Sequence, residues 1–237
     1  MKAIILAAGL GSRLGLDIPK PMYKINSKPV LEHNILLLKK HGIKDICINL
    51  FYKGEIIKNY FNNGSKWDVR INYSLEKELF GTSGDVKNCE WFLDKEPFFV
   101  LYGDNYSDIN LSEMLKFHNE NKPISTVALF DPAVCLNSGI AGGVVTLDKD
   151  NRLLSFTEGK EEKSNGYVNA GVYILDHQIL DMIPLNVMSD FGEDIFPKLL
   201  KKGFLLKGYV TDSFVLAIDT QYALKITEQI LSKGESK

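Results

Sequence analysis

Lys2-Ala3-Ile4-Ile5-Leu6-Ala7-Ala8-Gly9-Leu10-Gly11-Ser12-Arg13, residues 2–13, is the stretch on which the reading of this chain turns. Its first half is continuous, apolar and rich in isoleucine, the pattern of a strand covered on both faces, and Gly9 breaks it at once. Such a strand delivers a glycine loop to the end of a sheet. Gly9 and Gly11 let the backbone turn tightly and bring its N–H groups close to a ligand, as phosphate-holding loops do, while Arg13 and Lys20 add fixed positive charge. That combination suits a nucleoside triphosphate. It is neither the phosphate loop that ends in Gly-Lys-Ser/Thr nor the full dinucleotide fingerprint, and on the glycines alone an ordinary turn is the simpler reading.

Outward from this stretch the chain alternates. Pro29 opens an amphipathic helix that ends at His41-Gly42, Ile46–Leu50 reads as a second buried strand, Lys53–Phe61 as a second helix and Val69–Tyr73 as a third strand. A helix follows between Ser83 and Phe92, then Phe98–Tyr102, whose unbroken apolarity marks a central strand. Alternation of this kind builds a parallel sheet with crossover helices. Another helix near 111–119 and a strand near 125–129 continue it, but from Gly142 to Leu175 short strands follow one another with little helix between them, which predicts antiparallel or mixed pairing. Asp190–Lys201 reads as a helix with Ser189 or Asp190 as its cap, Phe204–Tyr209 and Phe214–Ile218 as strands, and Thr220–Leu231 as the closing helix.

The 237 residues are 45% hydrophobic and 24% charged, ordinary for a well-cored protein, and we read them as one domain, 1–237. A net charge of -2 gives no electrostatic footprint for nucleic acid. Cys47, Cys89 and Cys135 are odd in number and widely spaced, which argues against a disulfide framework and a thiolate metal site and points to a reducing cytoplasm. No run reaches the ~18 apolar residues of a membrane span.

In open α/β sheets ligands bind beyond the carboxyl ends of the strands, where Asp104 follows the most apolar strand and Asp219 follows Val215–Ile218. Two carboxylates meeting there could hold Mg²⁺, which takes one or two carboxylates plus substrate phosphates. A turn aspartate beside Gly103 and an N-cap of the last helix are the plainer alternatives.

Taken together, Leu6-Ala7-Ala8-Gly9-Leu10-Gly11-Ser12-Arg13-Leu14 with Pro19-Lys20-Pro21 resembles the signature of the nucleotidyltransferases that make nucleoside-diphosphate sugars, and the resemblance runs along nearly the whole chain. It implies a Rossmann-like, mixed but mainly parallel sheet flanked by helices, with a small antiparallel subregion on the acceptor side. It implies transfer of a nucleoside monophosphate from a triphosphate to a sugar 1-phosphate, with release of pyrophosphate. Arg13 and Lys20 take the catalytic positions, and Asp104 and Asp219 the Mg²⁺ positions. Leu6, Ala7, Ala8, Gly9, Gly11, Ser12, Glu76, Gly81 and Thr82 fall on the nucleotide-contacting positions. Asn105, Glu158, Lys160, Asn169 and Gly171 fall on the acceptor side, although Glu158-Gly159-Lys160 departs from the family's Phe-x-Glu-Lys-Pro segment: glycine replaces the lysine and the proline is missing. The acceptor is therefore less defined than the reaction, and a cytidylyltransferase acting on a non-sugar phosphate, or a nucleotide-binding module without catalysis, are the rival readings. Homo-oligomerisation stays open.

The base follows from Glu76, which the resemblance sets beside it. An ionised carboxylate only accepts hydrogen bonds, so it needs donors opposite: guanine offers N1–H and an amino group, cytosine an amino group, and uracil or thymine one N–H between repelling carbonyls. GTP or CTP is the expected triphosphate.

Overall fold

The computed structural model describes residues 1–11, 15, 17–139, 142–159 and 166–234. Strand β1 (Lys2–Leu6) is followed by a hairpin of β2 (Lys24–Ile25) and β3 (Lys28–Pro29), helix α1 (Val30–Lys40), β4 (Asp45–Leu50), α2 (Gly54–Phe61) and β5 (Arg70–Leu75). The chain continues through α3 (Gly81–Asn88), β6 (Phe98–Tyr102), β7 (Asn105–Ser107), α4 (Leu111–Asn121), β8 (Ser125–Phe130), β9 (Val144–Leu147), β10 (Leu153–Thr157) and β11 (Tyr167–Leu175). It closes with α5 (Phe196–Lys201), β12 (Leu206–Thr211), β13 (Val215–Ala217) and α6 (Gln221–Gly234).

β1 lies at the centre, parallel to β4 on one edge and to β6 on the other, and β4 is parallel to β5. The period of two along these strands splits their side chains between two cores. Ala3 and Ile5 of β1, with Phe99 and Leu101 of β6, belong to the cluster that α1 covers through Leu31, Ile35 and Leu38. Ile4 and Val100 point the other way, into a second cluster with Val86 of α3 and the Phe191, Ile195 and Phe196 aromatic and aliphatic stack. Burial on both faces is why these strands are legible as unbroken apolar runs.

The second half of the sheet is antiparallel, as the density of short strands predicts. β11 runs antiparallel to β6 and β8, and its first residues pair with β9, which pairs in turn with β10. β8 carries β12 parallel to it on its far side. The mixed, Rossmann-like sheet expected from the sequence is the one that forms.

β11 pairs with β9 through its first residues and with β6 through its last, and between Asn169 and Tyr173 its register against β8 shifts. Gly171 sits in that shift with φ +71°, where a Cβ would lie 2.6 Å from Asn105 Nδ2 and 3.0 Å from the Tyr102 ring. Gly171→Ala combines a left-handed backbone with a close contact, and strain of that kind costs about 2 kcal/mol. For a chain of this size the expected loss is ~4–8 °C in Tm, measured by thermal unfolding. An unchanged Tm would show that the bulge relaxes without cost.

Candidate functional site: a cleft at the strand-order reversal

The chain passes from β1 to β4 and β5 on one side, then returns to β6 on the other side of β1, so the strand order reverses between β1 and β6. Crevices at such a reversal, beyond the carboxyl ends of the strands, are where open α/β sheets bind ligands. Here the Gly103 N–H donates to the Leu6 carbonyl at 2.8 Å, and a Cβ on Gly103 would lie 2.7 Å from that oxygen. Only glycine lets the turn after β6 close on the end of β1.

A cleft of about 390 Å³ opens above this point. Leu6, Ala7, Ala8, Gly9, Gly11, Lys20, Gly81, Thr82, Asp104 and Asp219, ten residues singled out from the sequence, line it, and so do Leu79, Asp85, Tyr102, Met188 and Asp190. Ser12, Arg13 and Lys160 lie outside the described residues.

At one end of the cleft Lys20 opens a single 3₁₀ turn, Lys20–Met22, and its ammonium donates to Asp104 Oδ2. The two side chains are 13% and 25% exposed, so solvent screens this pair only in part. Asp219 reaches the same place by a different route. β13 pairs antiparallel with β7, the Ile218 N–H donates to the Asp104 carbonyl at 3.3 Å, and Ser138 and Thr227 hydroxyls hold the Ala217 backbone. Asp219 Oδ1 is buried and has no hydrogen-bond partner among the described residues. A buried carboxylate oxygen in that condition is costly unless a cation or donor meets it. Among the described residues no set of three or more His, Cys, Asp or Glu side chains is placed to hold a metal unaided. Mg²⁺ takes one or two carboxylates plus substrate phosphates, and Asp104 and Asp219 line one cleft, so the donor set fits that ion.

The start of α3 also lines the cleft, with Asp85 and Asp190. The N–H groups of a helix's first turn are the usual anion-binding donors, but those of Thr82, Ser83 and Gly84 are occupied. Thr82 N–H and Oγ1 both donate to Asp190 Oδ1 at 2.9 Å, and Ser83 and Gly84 N–H donate to the Ser189 carbonyl at 3.1 and 3.3 Å. The expectation that Asp190 or Ser189 caps the helix that follows them is corrected here. The Asp190 side chain caps α3, 108 residues earlier in the chain, and the residues after it form a π-helical turn, Phe191–Ile195, that leads into α5.

Asp85, on α3, is 6% exposed. Its Oδ2 accepts from Asn49 Nδ2 at 2.7 Å and its Oδ1 from Phe80 N–H at 3.3 Å, while Asn49 Oδ1 accepts from Ala7 N–H at 2.6 Å. Burial, then the nearby Glu76 charge, pushes the Asp85 carboxyl up to about 7. Glu76 itself is not among the lining residues. Its oxygens accept from Asn88 Nδ2 at 2.8 Å and Ser74 Oγ at 3.3 Å, and burial raises its pKa.

The four described acceptor-side residues, Asn105, Glu158, Asn169 and Gly171, also stand apart from the cleft lining. Asn105 Nδ2 donates to the Ala170 carbonyl at 3.1 Å. Asn169 donates to the Tyr173 hydroxyl at 2.7 Å and accepts from Gly171 N–H at 3.0 Å, which employs both ends of its amide on the bulge of β11. Glu158 approaches Gly192, and burial followed by the charges of Glu193 and Asp190 raises its pKa.

The nucleotidyl transferase family matches residues 2–214, and the chain belongs to that family. It is 38% identical over 223 residues to a D-glycero-alpha-D-manno-heptose 1-phosphate guanylyltransferase of Campylobacter jejuni, covering 90% of this chain and 94% of that protein. It is 36% identical over 222 residues to a UTP--glucose-1-phosphate uridylyltransferase of Synechocystis, covering 86% of this chain but only 56% of the relative's length. Among solved structures, HddC from Yersinia pseudotuberculosis complexed with GMP-PN superposes with a TM-score of 0.79 at 26% identity, over 97% of this chain and 99% of that one.

The Asp85 carboxyl gives a stability test independent of any ligand. Its folded pKa lies above the unfolded value near ~4, so the native state holds the proton more tightly, and stability falls as pH rises from ~4 through about 7. Asp85→Asn removes that dependence. The Tm of the variant minus that of the unmodified protein should therefore become more positive between pH 5 and pH 8, read by scanning calorimetry at ~1 pH intervals. A difference that is flat with pH would mean the carboxyl is solvated.

Proposed function

We propose that this protein transfers GMP from GTP to a sugar 1-phosphate, giving a GDP-sugar and pyrophosphate, and that 1–237 works as one catalytic domain. The observation that carries the reading is the meeting of the glycine loop, Lys20, Asp104 and Asp219 at one end of the β1–β6 cleft. The guanylyltransferase relative that matches this chain nearly end to end supports the base and the sugar-phosphate class.

The reaction asks little of the side chains. A phosphate monoester has its second pKa near ~6 and is largely dianionic at neutral pH, so an acceptor oxygen can form its bond to the α-phosphorus without a general base. The bond from the α-phosphorus to the α–β bridging oxygen breaks, and its electron pair departs with pyrophosphate. Backbone N–H groups from Gly9 to Ser12, with Arg13, neutralise the departing phosphates, and Lys20 sits where the α-phosphate and acceptor meet. Mg²⁺ on Asp104 and Asp219 would supply further neutralisation of phosphate oxygens. Glu158 and Lys160 serve the acceptor, with Asn105, Asn169 and Gly171 on its side of the sheet. Leu6, Ala7, Ala8, Gly81 and Thr82 wall the nucleoside. Such chemistry belongs in the cytoplasm, and three free, buried cysteines are at home there.

The test is pyrophosphate release with GTP, CTP, UTP, ATP and dTTP against a panel of sugar 1-phosphates. Lys20→Ala and Asp219→Ala should each lower kcat by ~10²-fold or more at saturating substrate, because each acts on charge that grows in the transition state. No turnover with any triphosphate and any sugar 1-phosphate would overturn the proposal, and changes confined to KM would reduce these residues to uniform binding.

A further inference from the structure

Three features divide the cleft. One part of its lining is the glycine loop with Lys20, Asp104 and Asp219, and another is the start of α3, where the Thr82, Ser83 and Gly84 N–H groups are taken by Asp190 and Ser189. With the phosphates read onto the glycine loop and Lys20, the α3 side is left for the base, with Leu79 and Met188 in the same lining and one deeply buried carboxylate, Asp85. We propose that Asp85 is the residue that selects guanine, by accepting hydrogen bonds from its N1–H and 2-amino groups. The inference rests on reading the cleft as a nucleoside triphosphate site and goes beyond that reading by naming the base reader.

The argument is one of hydrogen-bond capacity. An ionised carboxylate offers about four lone-pair sites. At Asp85 the protein fills two, one from Asn49 and a longer one from Phe80 N–H, and the side chain is a lining residue of the cleft. Asn49 is fully buried and also receives the Ala7 N–H, so the same amide fixes the carboxylate and the end of β1 that leads into the glycine loop. The carboxylate is thus set at a defined height relative to the triphosphate. Glu76, which the sequence places beside the base, is engaged at both oxygens and lies off the cleft.

Burial and the charge of Glu76 make an ionised Asp85 costly, as its pKa near 7 records. Paired donors on a ligand relieve that cost. Guanine alone among the common bases presents two adjacent donors; adenine and cytosine set an amino group beside a ring acceptor, and uracil sets one N–H between two carbonyls.

Complementarity supplies the test. Xanthine keeps N1–H but carries a carbonyl where guanine has its amino group, so a carboxylate repels it and an amide pairs with it. Hypoxanthine lacks the 2-substituent. Binding of GTP, ITP and XTP, each with Mg²⁺, is measured by calorimetry on the full chain as unmodified protein, Asp85→Asn and Glu76→Gln. The unmodified protein should prefer GTP to ITP by ~10-fold and to XTP by ~10²-fold or more, since a site built on buried hydrogen bonds rejects mispaired analogues by such factors. In Asp85→Asn the preference should invert, with XTP gaining and GTP losing by at least ~10-fold each.

A gain of XTP binding cannot come from a damaged fold. Equal binding of GTP and XTP by the unmodified protein overturns the proposal even where the variant does not fold. So does an Asp85→Asn variant that keeps the GTP preference, or an inversion seen in Glu76→Gln instead. Each of these results leaves nucleotidyl transfer standing. The transfer reading itself fails separately, through a protein that binds guanine nucleotides with this selectivity and releases no pyrophosphate.

Discussion

The 2.8 Å hydrogen bond from Gly103 N–H to the Leu6 carbonyl is the contact on which the cleft depends. It joins the ends of the two central strands at the point where the strand order reverses. The charged residues described there hang from one side of it or the other: the glycine loop and Lys20 follow β1, Asp104 follows β6, and Asp219 follows β13, which is paired to the strand just after Asp104. The side-chain-free glycine at 103 is a geometric requirement, since a Cβ would meet the Leu6 oxygen at 2.7 Å. Moving these two strand ends apart would separate the cation from both carboxylates at once.

Charge then divides the space. A helix N-terminus ordinarily attracts phosphate, and α3 begins on the wall of the cleft, yet Asp190 and the Ser189 carbonyl occupy its N–H groups and Asp85 adds a second carboxylate nearby. Burial pushes the Asp85 carboxyl up to about 7, and clefts are where such perturbed groups concentrate.

The fold was legible because both faces of β1, β4 and β6 are buried, so Ala3–Leu6, Ile46–Leu50 and Phe98–Tyr102 read as apolar runs with no alternation to misinterpret. Asp104 and Asp219 were legible by position, each following such a run. The Asn49–Asp85 pair was not. Asn49 is concealed inside an apolar strand, where a polar residue gives no periodic signal, and Asp85 sits in Thr82-Ser83-Gly84-Asp85, a composition that reads as a helix start. Their meaning is a contact between residues 36 apart. Asp190 likewise looked like a local cap and proved to be a remote one, because local sequence cannot announce a partner 108 residues away. Asn169 and Gly171, matched to the acceptor side by motif, sit at the register shift of β11 against β8, which no local pattern announces.

Mn²⁺ is a paramagnetic substitute for Mg²⁺, and its titration into the protein with a non-hydrolysable GTP analogue, followed by electron paramagnetic resonance, tests the central claim most directly. Free and bound Mn²⁺ are read without turnover. The account predicts a tight Mn²⁺ site that requires the nucleotide and is weakened by ~10-fold or more in both Asp104→Asn and Asp219→Asn, since each removes one of two protein ligands to the ion. Nucleotide-dependent Mn²⁺ binding that is unchanged in both variants, with their folds intact, would contradict it.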